Sequence, residues 1–79
     1  MVPMNKERRE RLENLLGQIE AVKGSVEDIL SEEEDARNGY PENLQGSEAY
    51  ERSDAACDSL NEAVSSLEDA ISSMEAATE

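Results

Sequence analysis

The sequence predicts an all-α fold: an antiparallel two-helix hairpin, coiled-coil-like, that dimerises into a four-helix bundle. Three observations carry this. Apolar residues recur at alternating spacings of three and four in each half of the chain. A single cluster of helix breakers separates the halves, and the two apolar series match residue by residue when the chain is folded back on itself. Seventy-nine residues make one domain, 1–79, of a size that buries too little surface to be comfortably stable alone.

The first helix is expected over about 5–36. Its apolar positions Leu12, Leu15, Ile19, Val22, Val26 and Ile29 follow the a/d pattern of a helix seam. The turn is expected over about 37–47, where Asn38, Gly39, Pro41, Asn43 and Gly46 concentrate the breakers. The second helix is expected over about 48–77. Ser47 is its N-cap, and Glu48 and Glu51 sit where a helix N-terminus favours negative charge. Its seam is Cys57, Leu60, Val64, Leu67, Ile71 and Met74. Pairing Ile29 with Ser53, Val26 with Cys57, Val22 with Leu60, Ile19 with Val64, Leu15 with Leu67 and Leu12 with Ile71 keeps the residue-number sum at 82 or 83. No slip is needed between layers. Tyr40, Leu44 and Tyr50 are placed to plug the closed end, and Arg8, Arg9 and Arg11 to lie near Glu75 and Glu79 at the open end.

Both helices have apolar faces wider than one seam requires. Ala56, Ala63, Ala70 and Ala77 form a small-residue stripe beside the seam of the second helix. Leu16 and Leu30 flank the first, with Lys23 between them. A two-helix seam needs only a and d positions. These six residues are therefore the expected oligomer interface, with small Ala side chains allowing close approach.

Composition narrows the chemistry. Twenty Asp and Glu against seven Lys and Arg give a net charge of −13, with no His, Trp or Phe and one Cys. Without His, acid–base work near neutral pH would need a strongly shifted carboxylate or Lys. A chain this acidic is the reverse of a phosphate-neutralising nucleic-acid binder. Cys57 lies at a seam position with no His partner and reads as a small buried hydrophobe. Asp35, Asn38 and Glu42 lack calcium-loop spacing, and no phosphate-binding Gly loop is present. The expectation is a non-enzyme without metal or cofactor. The N-terminus turns charged at once without an apolar run, and no stretch reaches the ~20 apolar residues of a membrane span. No membrane partner and a cytoplasmic location follow as expectations.

The charge is the main functional signal. Lys6, Arg8, Arg9 and Arg11 against Glu7 and Glu10 leave residues 1–11 at +2, so the remainder carries −15. Glu13, Glu20, Glu27 and Glu34 recur every seven residues and form a line spaced about 10.5 Å along the axis. Asp28 and Asp35 run beside it, Glu42 continues it into the turn, and Glu32–Asp35 is a solid acidic run. These carboxylates suit a protein partner with a basic surface, such as a nuclease, that would otherwise hold a phosphate backbone. The plainer reading is a structural or adaptor module whose acidity confers solubility. A small-nucleotide sponge would have to rest on Arg8, Arg9 and Arg11. Gly17 and Gly24, one heptad apart and opposite the seam, each cost about 1 kcal/mol against Ala. They are either a tolerated cost or a groove for a partner backbone.

The stretch Glu32-Glu33-Glu34-Asp35-Ala36-Arg37-Asn38-Gly39-Tyr40-Pro41-Glu42-Asn43-Leu44-Gln45-Gly46-Ser47-Glu48 resembles a group of small acidic proteins of bacteriophages and integrated elements. They share an acidic helix end, a Pro-Glu-(Asn/Ser)-Leu-Gln turn, a Ser-Glu helix start and acidic heptads. The turn motif here is Tyr40, Pro41, Glu42, Asn43, Leu44 and Gln45, with Arg37 and Tyr40 standing where the group usually has an aromatic and a Met. The resemblance implies a phage or mobile-element origin and a bacterial host cytoplasm. The resemblance supplies no activity; a phage origin favours, by analogy alone, the class of acidic DNA-mimic inhibitors of host defence nucleases.

Overall fold

The computed structural model describes residues 4–79. Two long helices, α1 (Lys6–Asn38) and α2 (Glu48–Thr78), are joined by a short 3₁₀ turn over Glu42–Leu44 and pack side by side. The result is an all-α helical hairpin, in which α1 begins one residue and ends two residues later than expected, and α2 ends one residue later.

Capping explains where each helix begins. Asn5 holds extended backbone, and its side chain accepts from the Arg8 N–H at 2.8 Å. Ser47 does the same for the Tyr50 N–H at 3.2 Å. Each cap satisfies a backbone donor that has no partner inside the helix. α1 stops at Gly39, whose N–H donates to the Asp35 carbonyl at 3.0 Å. Pro41 then opens the 3₁₀ turn. Its carbonyl accepts from the Leu44 N–H at 2.8 Å, and the Leu44 carbonyl accepts from Ser47 at 3.0 Å. The connection thus satisfies much of its own backbone before α2 starts.

The rod measures 61 × 20 × 13 Å, with a radius of gyration of 18.0 Å, against about 12 Å for a compact chain of this length. Its core is thin. Leu30, Cys57, Val64 and Ile71 are buried, and Val26 and Leu60 pack partly buried against the first three.

The α2 seam is the expected one. Cys57, Val64 and Ile71 are buried, and Leu60, Leu67 and Met74 alternate with them half-buried. The α1 seam is not. Leu30, expected as an oligomer-interface residue, is only 8 % exposed in the hairpin core. Leu16 is half-buried on the same side, whereas Leu15, Val22 and Ile29, expected inside, are 50, 52 and 55 % exposed. The α1 residues turned toward α2 are Leu12, Leu16, Ile19, Lys23, Val26, Leu30, Glu33 and Arg37, all buried or half-buried. This is a 4-3-4 series where 3-4-3 was expected.

The reason is that Leu12, Ile19 and Val26 belong to both series, and α1 carries a third apolar stripe on either side of them. One partner helix covers two stripes and leaves the third. The covered one alternates Leu16, Lys23, Leu30 and Arg37, and its two cations reach across the hairpin. Lys23 Nζ lies 3.8 Å from Glu68 and Arg37 Nη1 3.0 Å from Asp54. The pairing also shifts by one turn. Ser53, expected opposite Ile29, donates its buried hydroxyl to Glu33. Cys57, expected opposite Val26, lies in the core cluster with Leu30, against which Val26 also packs.

Two end contacts differ as well. Tyr40 and Tyr50 meet edge to face, ring centres 5.6 Å apart, whereas Leu44, expected to help plug this end, is 45 % exposed in the 3₁₀ turn. At the open end, none of Arg8, Arg9 and Arg11 forms an ion pair with Glu75 or Glu79 among the described residues. Arg9 donates instead to the Met4 carbonyl at 3.2 Å.

Candidate functional site: an acidic face on the first helix

α1 is continuous helix from Lys6 to Asn38, so residues seven apart lie almost above one another. Glu13, Glu20 and Glu27 are all exposed and form the expected line of carboxylates. Asp28, Asp35 and Glu42 are exposed too. Glu34 is half-buried, because it sits one turn after Leu30 and one turn before Arg37, both of which face α2. It is one of the anions acting on Cys57. The acidic face proper is therefore Glu13, Glu20, Glu27, Asp28 and Asp35, with Glu42 beyond the helix end.

Between the glutamates lie the two helical glycines. Glu13, Gly17, Glu20, Gly24 and Glu27 follow one another at spacings of four and three, which is one ridge of the helix surface. A methyl group added at Gly17 or Gly24 would meet nothing within 4 Å, and neither residue has positive φ. Neither packing within the hairpin nor backbone conformation demands glycine there. The ridge thus alternates carboxylates with gaps, giving a shallow notch between successive acids. Both the heptad line and the glycines interleaved with it are legible in the sequence.

The cations near this face are engaged elsewhere. Lys23 and Arg37 are turned into the seam by Glu68 and Asp54, Arg52 pairs with Glu48 one turn away on α2, and Lys6 pairs with Glu10 at 3.9 Å. Burial draws the Arg37 guanidinium down, but its hydrogen bond to Asp54 and the neighbouring acidic groups more than offset this, leaving its pKa above the ordinary arginine value. It stays charged and bound to its own hairpin. Arg9 stands four residues before Glu13, and Lys23 three after Glu20 and four before Glu27, yet none of these three glutamates forms an ion pair among the described residues.

Cys57 is 1 % exposed. Burial pushes its thiol pKa up, Arg37 pulls against this, and Glu33, Glu34 and Asp54 add to the rise. A neutral, covered thiol is a poor nucleophile. Among the described residues, no group of three or more acidic or Cys side chains is arranged to hold a metal ion. No helix there is long and apolar enough to cross a membrane. A hollow of about 260 Å³, open to solvent, is lined by Met4, Arg8, Arg11, Leu12 and Leu15. It lies at the basic end and takes no part in the acidic face. Comparison with known proteins finds no matching family, no matching curated protein and no matching solved structure.

Proposed function

We propose that the chain is a non-catalytic interaction protein whose carboxylate ridge binds and inhibits a nucleic-acid-binding or defence protein of a bacterial host. The ridge acts as a rigid imitation of a phosphate backbone. Its origin in a phage or mobile element, and its place in the host cytoplasm, rest on the resemblance of the turn motif. The observation that carries the functional reading is the ladder Glu13–Gly17–Glu20–Gly24–Glu27, whose three carboxylates are exposed. Acids on a solubilising helix are ordinarily interleaved with Lys four residues on, and this ridge has gaps instead. A gap beside each carboxylate admits an arginine head group or a stretch of partner backbone, where a guanidinium can take both carboxylate oxygens.

The test is reversal of Glu13, Glu20 and Glu27 to Lys together. All three are exposed and make no ion pair within the described residues, so helicity is expected to survive. Loss of partner capture with an unchanged circular dichroism spectrum supports the reading. Unchanged capture refutes it and favours the adaptor alternative, in which acidity only solubilises and docking follows the Tyr40–Gln45 turn.

A further inference from the structure

We infer that the uncovered side of the hairpin is a self-association surface, closed by a second copy of this chain in one defined register. The two copies are related by a two-fold axis perpendicular to the rod. α1 lies antiparallel on the second copy's α1, and α2 on its α2, with the turns at opposite ends.

The surface is defined by what faces away from the two interhelical salt bridges. On α1, Leu15, Val22 and Ile29 lie one residue before Leu16, Lys23 and Leu30, and so about 100° round the helix from the ion-pair side. On α2, Ala56, Ala63 and Ala70 lie two residues after Asp54, Asn61 and Glu68, across the seam from the ion-pair side. Both stripes therefore share one flank of the hairpin. That flank is unlike the rest of this acidic molecule. Along α2 it reads Ala56, Ser59, Ala63, Ser66, Ala70, Ser73 and Ala77, without a carboxylate. Along α1 it reads Arg11, Leu15, Gln18, Val22, Ser25, Ile29 and Glu32, with one.

Three arguments select a second copy as the occupant. The first is symmetry. An antiparallel match centred on Val22 sets Leu15 against the second copy's Ile29 and Val22 against its own equivalent, which is the self-complementarity of an isologous interface. The Ala stripe is centred between Ala63 and Ala70, and the Lys23–Glu68 bridge together with the Val26–Val64 cluster puts that point level with Val22. Both helices thus call for the axis at the same height. The second is charge. The same register lays Arg11 beside the second copy's Glu32, and Arg8 beside its Asp35, so the +2 end meets the acidic end twice. The third is area. The chain exposes 5772 Å², about 1,000 Å² more than a compact monomer of its mass, and a standard interface takes about 800 Å² from each partner. Close Ala–Ala approach suits α2.

Association in this register leaves Glu13, Glu20 and Glu27 free, because they lie two residues, or about 160°, away from Leu15, Val22 and Ile29. It also concentrates charge. One net charge per about 4.7 Å of a single 61 Å rod becomes one per about 2.3 Å in the dimer, near the 1.7 Å of duplex DNA. The interface stands whether or not the acidic ridge binds a partner.

The test uses the full chain with Val22→Cys, a substitution of similar size, and Cys57 left in place because it is buried. Light scattering at about 0.1 mM is expected to give twice the 8.7 kDa chain mass, and mild oxidation a covalent dimer through Cys at position 22. Glu20→Cys, on the opposite side, should not cross-link. Should V22C not fold, mixing L15C chains with I29C chains puts the same question, with a mixed disulfide expected. A monomer at that concentration overturns the inference. A dimer that fails to link through position 22 and through the L15C–I29C pair overturns the register.

Discussion

Replacing Gly17 and Gly24 by Ala should stabilise this protein, and the size of the gain follows from the structure. Both lie in the interior of α1, where Gly costs about 0.5–1 kcal/mol relative to Ala through backbone entropy. Such a gain is ordinarily eroded by clash or by positive φ. Neither applies, since an added methyl meets nothing within 4 Å and no glycine of the described chain has positive φ. The two sites are one heptad, about 10.5 Å, apart, so the effects should add to about 1–2 kcal/mol. For a domain of this size that is a rise in Tm of roughly 4–16 °C. Thermal melts followed by circular dichroism, at one fixed protein concentration, read it directly. An unchanged or lower Tm would refute the reasoning that these glycines are unneeded by the fold. The double variant has a second use. If the notches between Glu13, Glu20 and Glu27 admit a partner, G17A/G24A should bind it more weakly while melting higher, a combination that a merely tolerated glycine does not produce.

Other perturbations follow from the same contacts. Leu30→Ala, at the buried core position, should cost about 2–4 kcal/mol of hairpin stability, whereas Ile29→Ala should cost well under 1 kcal/mol within the hairpin and act chiefly on self-association; urea melts at several protein concentrations separate the two. Arg37→Ala removes a partly shielded bridge to Asp54 and should cost about 1 kcal/mol, with little further loss on adding Asp54→Ala, a double-mutant cycle being the measurement. Cys57 should resist a thiol reagent in the folded chain and react on unfolding. Because its pKa is raised in the fold, the stability linked to it is fully present below pH about 9. It is lost as pH rises through the raised value, visible as a falling urea midpoint in alkaline buffer.

Much of the architecture was legible before any coordinates. Asn38 to Gly46 marks the turn, Ser47 the cap, and Cys57 to Met74 the seam of α2, each for a local reason that tertiary context did not override. The seam of α1 was not legible. Leu12, Ile19 and Val26 can be extended by Leu15, Val22 and Ile29 or by Leu16 and Leu30, and apolarity alone favours the first set because the second contains Lys23 and Arg37. The structure takes the second, since those cations find Glu68 and Asp54 on α2, contacts that periodicity within one helix does not contain. The one-turn shift in pairing follows from the same choice. The acidic face was legible as a heptad of Glu, except that Glu34 is half-buried between Leu30 and Arg37 on the side facing α2. Of the six residues expected to mediate assembly, Leu30 is buried and Leu16 half-buried against α2. The alanines lie beside the seam, on the flank that also carries the exposed Leu15, Val22 and Ile29.

The most direct test of the functional reading is capture from a bacterial host lysate by the wild-type chain and by E13K/E20K/E27K, at 0.15 M and at 0.5 M salt. At the higher salt, charge is screened beyond about 4 Å. The account predicts that the wild type retains a nucleic-acid-binding protein at low salt, that the retained protein loses its hold on nucleic acid, and that both the triple variant and high salt abolish capture. Retention of the same protein by the triple variant would contradict it.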